Sequence, residues 1–461
     1  MINQDHLNKL YQKEQKLYGD KHPTSKKIYQ ESNHLFARVP MTWMNKWVGG
    51  FPLSFVTARG SCITDVDNHT YIDFALGDTG AMCGHSPTEL VDAIKNRIET
   101  LGGITTMMPT EDSEWVANEL STRFGLCKWS FSLSATDANR WILRLARLVT
   151  RRPKILVFSY SYHGSVDESL IVLDDYGRPM QRPGNVAPAV CPTQTSRVVE
   201  FNDIDAIKRE LAYGDVAAVL MEAAMTNMGI ILPSDGFLEE LAKICKTTQT
   251  LLIIDETHTI SLGPGGATKH YNLQPDAITI GKCIGGGIPC GAYGMTQELA
   301  SRVHLAIADA DSDIEDCGGV GGTLAGNALS FAAMRAVLGK VLTPAAFDHM
   351  QNLASVFSRH VESLIIKYNL PWSVVQLGAR VEYMFSRLPP LNAKEVLQYK
   401  NMELENYLHL YCINRGILMT PFHNMVLMAP TTTLEQVEYH GRVLEDAVKS
   451  LLDSDEYCCC S

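Results

Sequence analysis

The sequence predicts an α/β fold, with a large, mostly parallel sheet domain joined to a smaller α+β domain. Three observations carry that expectation. Between about residues 128 and 295, short runs rich in Val, Ile and Leu alternate with helical stretches. The runs are continuously apolar, as strands buried on both faces between layers of helices must be. The last third of the chain changes to longer helices around two extended pieces. With 461 residues and 46% hydrophobic content, the chain can bury a core large enough for two lobes.

Taken in order, residues 1–60 read as an N-terminal arm belonging with the small lobe, 61–340 as the large domain and 341–461 as the C-terminal small domain. The strands of the large domain are KWSFSLS (128–134), KILVFS (154–159), VAAVLME (216–222), LLIIDE (251–256), AITIGK (277–282) and GAYGM (291–295), each bounded by turn signals. A helix over 137–149 sets Trp141, Leu145 and Leu148 on one face, while Arg140, Arg144, Arg147 and Arg151 line another. That arginine stripe reads as solvated or salt-bridged. In the small lobe, helices near 345–367, 391–415 and 434–452 flank extended pieces at 373–385 and 417–430. Thr432 with Glu435 forms a capping box opening the last helix.

Composition narrows the function. A net charge of −11 argues against a nucleic-acid partner, which calls for a basic footprint. No apolar run approaches the ~20 residues a bilayer span needs, and the charged first thirty residues lack an apolar leader core. A cytoplasmic enzyme acting on small molecules is expected. The twelve cysteines show no zinc-like spacing, and no HExxH or carboxylate–histidine cluster is evident, so free thiols and no metal are expected. The tail Cys458–Ser461 formally satisfies a prenylation box but lacks aliphatic middle positions and a polybasic neighbour, and reads as a disordered tail. The acidic run 304–319 starts like a calcium loop, yet has Ile314 and Val320 where glycine and glutamate are required. It reads as a mobile loop.

Chemistry gathers at the strand ends, where open α/β sheets bind ligands. Successive runs end in Ser134-Ala135-Thr136 opening a helix, Tyr162-His163-Gly164, Glu222, Asp255-Glu256-Thr257-His258, and Gly281-Lys282. A helix N-terminus holds a phosphate dianion without a basic side chain. An aromatic ring stacks on a pyridine, and a buried carboxylate keeps a pyridine nitrogen protonated. A lysine in a partly desolvated pocket forms a Schiff base and then moves the substrate proton. Together these suit pyridoxal 5'-phosphate.

In this order the motifs resemble the class III pyridoxal-phosphate-dependent aminotransferases, particularly their glutamate-1-semialdehyde aminomutase-like branch. The similarity runs from about residue 48 to 336, with a weaker continuation to about 450. PDAITIGKCIGGGIPCGAYG (275–294) is close to the family's PD-x-x-x-x-GK-x-x-GGG-x-P-x-GAYG signature. The resemblance implies the aspartate aminotransferase-like fold (fold type I), with Lys282 as the Schiff-base lysine. SLSATDAN (132–139) matches the family's NSGTEA turn, which implies Ala135 and Thr136 at the phosphate. Tyr162 of YHG would lie against the ring and Asp255 would partner the pyridinium. MEAAMTNMG (221–229) parallels E-P-V-x-G-N-x-G, implying supporting roles for Glu222 and Asn227. GGTLAGNALS (321–330) parallels GGT-x-x-GNP, which implies that Thr323 reaches the phosphate of a neighbouring subunit in a homodimer.

The departures fall elsewhere. Thr257 replaces the family's valine and adds a hydroxyl while still packing on the ring, and His258-Thr259-Ile260-Ser261 replaces an MTGFR-like run. Trp43 stands near the place of the aminomutase's carboxylate-gripping arginine, and Phe422-His423-Asn424-Met425 replaces its SQFEA stretch. Trp43, His163, His258 and His423 are the candidate substrate-side residues, and Arg38, Lys46 and Arg380 are candidate carboxylate clamps. The expected reaction moves an amino group between an amino acid or amine and an oxo acid or aldehyde by a ping-pong Schiff-base mechanism. The alternative is aminomutase-like intramolecular transfer. A non-catalytic binding protein of the same fold is disfavoured because Lys282, Asp255 and Tyr162 are all present.

Overall fold

A computed structural model describes residues 3–309 and 318–453. The acidic run around Asp311, Asp313 and Ile314, and the Cys458–Cys460 tail, lie outside the described residues. The chain opens with helices Gln4–Lys21 and Pro23–Glu31 and a meander of β1 (Phe55–Arg59), β2 (Cys62–Asp65) and β3 (Thr70–Asp73). Then come β4 (Lys128–Ser132), β5 (Lys154–Phe158), a small hairpin of β6 (Ile171–Leu173) and β7 (Pro179–Gln181), and β8 (Ser196–Val199). These are followed by β9 (Val216–Met221), β10 (Leu251–Asp255), β11 (Ala277–Ile280) and β12 (Gly291–Met295). The chain closes with β13 (Ser373–Leu377), β14 (Arg380–Met384), β15 (Ile417–Leu418) and β16 (Met425–Leu427).

All six expected strands of the large domain form, within a seven-stranded sheet of order β4-β12-β11-β10-β9-β5-β8. β9, β10 and β11 pair in parallel, as do β5, β8 and β9. β12 runs antiparallel to both neighbours. The link 281–290 is shorter than the dozen or more residues that a parallel crossover needs, so the chain turns back. β8 was not anticipated; SRVV is short, mixed in polarity and at the sheet edge. Every residue of β9, β10 and β11 is buried. The helix Ala135–Thr150 packs Ala138, Ile142, Leu145 and Ala146 into the core of this sheet. Its Arg140 and Arg144 are exposed and Arg147 pairs with Glu168. This is an α/β fold of type I.

The chain divides into two compact units. One spans Thr88–Asp348 with Pro390–Gln398, and the other holds the rest of the described chain. The division falls after Pro87 rather than at residue 60, because β2 and β3 belong to a four-stranded sheet of order β1-β2-β3-β15. There Ile72 and Asp73 pair with Ile417 and Leu418. The helix expected over 391–415 is two helices, Ala393–Tyr399 and Met402–Ile413, the second capped by the Asn401 side chain on Leu404 N–H. Among the described residues, no single helix is long and apolar enough to cross a membrane.

The last helix, Leu434–Leu452, corrects the expected cap by one position. Thr433, not Thr432, is the N-cap: its backbone is extended (φ −108°, ψ 157°) and its hydroxyl accepts from Gln436 N–H. Gln436 Oε1 accepts from Thr433 N–H in return. The Thr432 hydroxyl instead accepts from Ala429 N–H, closing the preceding turn. Thr433→Ala is therefore expected to lower unfolding free energy by about 1 kcal/mol, measured by urea titration.

Candidate active site

The helix Ala135–Thr150 begins where β4 ends, with extended Ser134 as its N-cap and its hydroxyl accepting from Asp137 N–H at 3.3 Å. The first-turn N–H groups lack intrahelical partners and carry the positive end of the helix dipole, a setting for an anion. Two glycines bring other strand ends against this point. A Cβ on Gly281 would sit 2.8 Å from Ala135 N. Gly164, at φ +85°, allows the loop after β5 to cross Thr136; a Cβ there would lie 2.0 Å from Thr136 Oγ1. Ser165 N–H donates to that hydroxyl at 3.3 Å. Lys282, next to Gly281, is half-buried and held at φ +50°, a conformation that costs a non-glycine residue on the order of 1 kcal/mol.

Asp255, at the end of β10, is buried among donors. Its Oδ2 accepts from Asn139 Nδ2 at 2.9 Å and faces His163 Nδ1 at 2.9 Å, and its Oδ1 accepts from Thr257 N–H at 3.0 Å. Burial pushes the carboxyl up, but His163, Thr257 and Asn139 together outweigh it and hold its pKa at about 2. Asn139 is oriented by donating to His163 O at 3.1 Å and accepting from the Thr279 hydroxyl at 2.6 Å. Sequence reading missed Asn139 and Thr279; each is a polar residue inside an otherwise apolar buried segment. The expected substrate-side His163 is buried at 1% exposure against Asp255.

Beside this network lies a second one. Glu222, just past β9, accepts from the Thr226 hydroxyl at 2.6 Å and from Thr226 N–H at 3.2 Å. The same hydroxyl is 2.6 Å from His258 Nδ1, and His258 Nε2 is 2.5 Å from Lys282 Nζ. Burial raises the Glu222 carboxyl to about 7, against the opposing Thr226 hydrogen bond. Asn227 Nδ2 donates to Tyr160 O at 3.2 Å, bracing the loop that carries half-buried Tyr162. The Arg182 guanidinium, also missed, lies 6.0 Å from the Tyr162 ring centroid and donates to Ser161 O. Thr257 Oγ1 is buried with no partner among the described residues. Thr323 lies on an exposed turn.

The other unit gathers the remaining candidates. Trp43 packs edge-on against Phe422 at 6.0 Å, and Lys46 Nζ lies over both rings at 4.9 and 4.4 Å. His423 is buried and faces Glu382 at 3.0 Å. Burial pulls its pKa down, but the Glu382 carboxylate prevails and raises it. Arg380 is fully buried, donating to the Thr79 hydroxyl and to Met425 Sδ, whereas Arg38 is exposed over Tyr29. The departures at 43 and 422–423 thus meet in one cluster. His22, Asp65 and His69 do bring three potential metal-ligand atoms within 4.8 Å of one another, which linear spacing hid. Those atoms already serve hydrogen bonds: His22 Nδ1 faces Tyr18 O, and the Tyr71 hydroxyl lies between His22 Nε2 and Asp65.

The donors around Lys282 suit a group with an anion at one end and a protonatable ring nitrogen at the other. The helix N-terminus suits the first, and the Asp255 carboxylate, held low by its donors, suits the second. A family model for class-III aminotransferases matches residues 43–446. Glutamate-1-semialdehyde 2,1-aminomutase 2 of Brevibacillus brevis is 32% identical over 82% of this chain and 86% of its own length. A crystal structure of a glutamate-1-semialdehyde-aminomutase from Pseudomonas aeruginosa PAO1 superposes with a TM-score of 0.94 at 45% identity, covering 98% of this chain and 99% of that one. An omega-transaminase from Sphaerobacter thermophilus shares the fold, with a TM-score of 0.85 at 24% identity over 93% and 98% of the two chains. The chain belongs to the class-III aminotransferases and is a pyridoxal-phosphate-dependent enzyme.

The raised Glu222 pKa has a consequence for stability. The folded protein holds a proton that the unfolded chain, at its ordinary 4.5, releases. That contribution is full below about pH 4.5 and is lost as pH rises through about 7. Glu222→Gln is expected to flatten the pH dependence of the urea midpoint across this window.

Proposed function

We propose that the chain catalyses an intramolecular amino transfer of the glutamate-1-semialdehyde 2,1-aminomutase type, moving an amino group between neighbouring carbons of one small substrate. The observation that carries this reading is the 45% identity to the Pseudomonas aeruginosa protein over 98% of the chain. It favours this over the two-substrate transamination expected from the motifs. Transamination with a separate oxo acceptor stays as a second reading because Trp43 and His423 replace residues of the aminomutase pattern.

When bound, pyridoxal phosphate supplies an electron sink for the charge left on a carbon that gives up its proton. Lys282 would hold it covalently, the Ala135–Thr136 end its phosphate, Asp255 its ring nitrogen, and Tyr162 and Thr257 its ring, with Glu222 and Asn227 in support. Asp255 stays ionised throughout the neutral range and so keeps a proton on the nitrogen it faces. Lys282 Nζ removes a substrate proton and returns it. Trp43 and His423 select the substrate, and His163 holds Asp255. In a homodimer, the exposed Thr323 completes the partner's phosphate site.

Incubation with glutamate 1-semialdehyde and no added oxo acid decides between the readings. Sustained turnover is the expected result; a halt after one equivalent per site would favour transamination. Asp255→Ala is expected to slow turnover by several decades, each tenfold being about 1.4 kcal/mol. Near-normal rates would remove its assigned role. Thr323→Ala is expected to loosen cofactor retention on dialysis while the sedimentation coefficient stays that of a dimer.

A further inference from the structure

The hydrogens between Glu222 and Lys282 can be counted. Thr226 has one hydroxyl hydrogen and two neighbours at 2.6 Å, Glu222 Oε1 and His258 Nδ1. If the hydroxyl donates to an ionised Glu222, His258 Nδ1 must carry a hydrogen and donate to Thr226 Oγ1. His258 Nε2 then presents its lone pair to the Lys282 ammonium, 2.5 Å away. If Glu222 is protonated and donates to Thr226, every bond reverses. The hydroxyl then donates to Nδ1, and Nε2–H donates to a neutral Lys282 amine. The two arrangements differ by one proton leaving Lys282 Nζ and one arriving on Glu222 Oε1, with the hydrogens of His258 and Thr226 each passed one place along.

Resting on the assignment of Lys282 as the covalent lysine, we propose that Glu222, Thr226 and His258 form a proton wire that discharges the Lys282 ammonium and returns its proton. A lysine with an ordinary pKa is neutral in only about one molecule in two thousand at pH 7, and only the neutral amine attacks a carbonyl or takes a proton from carbon. Moving the proton inside the site turns a buried carboxylate and a half-buried ammonium into two neutral groups, which a partly desolvated setting favours. The raised carboxyl of Glu222 makes it a competent terminus near neutrality. Asp255 and His163 also act on the wire: the Asp255 charge raises Glu222 further and His163 lowers it. The composition of the wire departs from the family patterns. In the family patterns quoted above, glycine stands where Thr226 is and methionine where His258 is, so two departures on separate strand ends meet in one hydrogen-bonded line. These three residues act through Lys282 as positioning residues for its proton.

The test reads Lys282 itself rather than turnover. Cofactor-free protein is mixed with pyridoxal phosphate between pH 6 and 10 and fixed with borohydride, and modification of the Lys282 peptide is quantified by mass spectrometry. The wild-type midpoint sets the reference. His258→Gln and Thr226→Ala should raise it by about one pH unit or more, roughly tenfold in rate at pH 7, and Thr226→Ser should restore it. Unchanged midpoints in both variants overturn the wire. Modification at other lysines with Lys282 unlabelled overturns the cofactor assignment, and the proposal with it. Should the variants fail to fold, ¹⁵N-histidine NMR of the cofactor-free wild type supplies the answer. His258 is expected to average between its two neutral tautomers near pH 7.5, and a ring locked in one tautomer overturns the proposal.

Discussion

Every side chain of β9, β10 and β11 is buried, so polar groups in this part of the sheet are tolerated only where hydrogen bonds meet all their needs. The strand ends are where the chain can meet them. Asp255 shows how: three donors from the helix Ala135–Thr150, the loop after β5 and its own turn surround one carboxylate. Remove that satisfaction and burial would favour the protonated form of Asp255. The sheet core and the site chemistry are consequences of one rule about buried charge.

What the sequence made legible follows from the same rule. Continuous apolar runs marked the central strands, and the unusual residues at their ends marked Asp255, Glu222 and Lys282. Strand direction was less visible, because GAYGM reads alike in either orientation and only the length of the preceding link decides it. The cap of the last helix slipped by one residue in a run of three threonines, since propensity cannot say which of them turns extended. Asn139 and Thr279 escaped notice for a different reason. Their meaning depends on partners up to 140 positions away, though a wholly buried asparagine on a helix face that otherwise packs Ala138 and Ile142 is a detectable anomaly.

The departures from the family pattern sort into two groups by what they touch. Thr226 and His258 join Lys282 through hydrogen bonds and bear on how its proton is handled. Trp43, Lys46 and Phe422 form an aromatic–cation cluster, and His423 pairs with Glu382 beside it. The first group stands where the family patterns have glycine and methionine, the second near an arginine and a polar stretch.

Asn139 lies four residues beyond Ala135 on the same helix, so about 6 Å of helical rise separates the N–H end suited to an anion from the amide that steadies Asp255. The helix is therefore a gauge rod as well as an electrostatic element. The distance between the helix end and that amide is written in backbone geometry, which no side-chain substitution can stretch. Adding or deleting one residue between them would turn Asn139 by roughly 100° and take it from Asp255. Evolution at this site is free to change rotamers and partners, but not to change length.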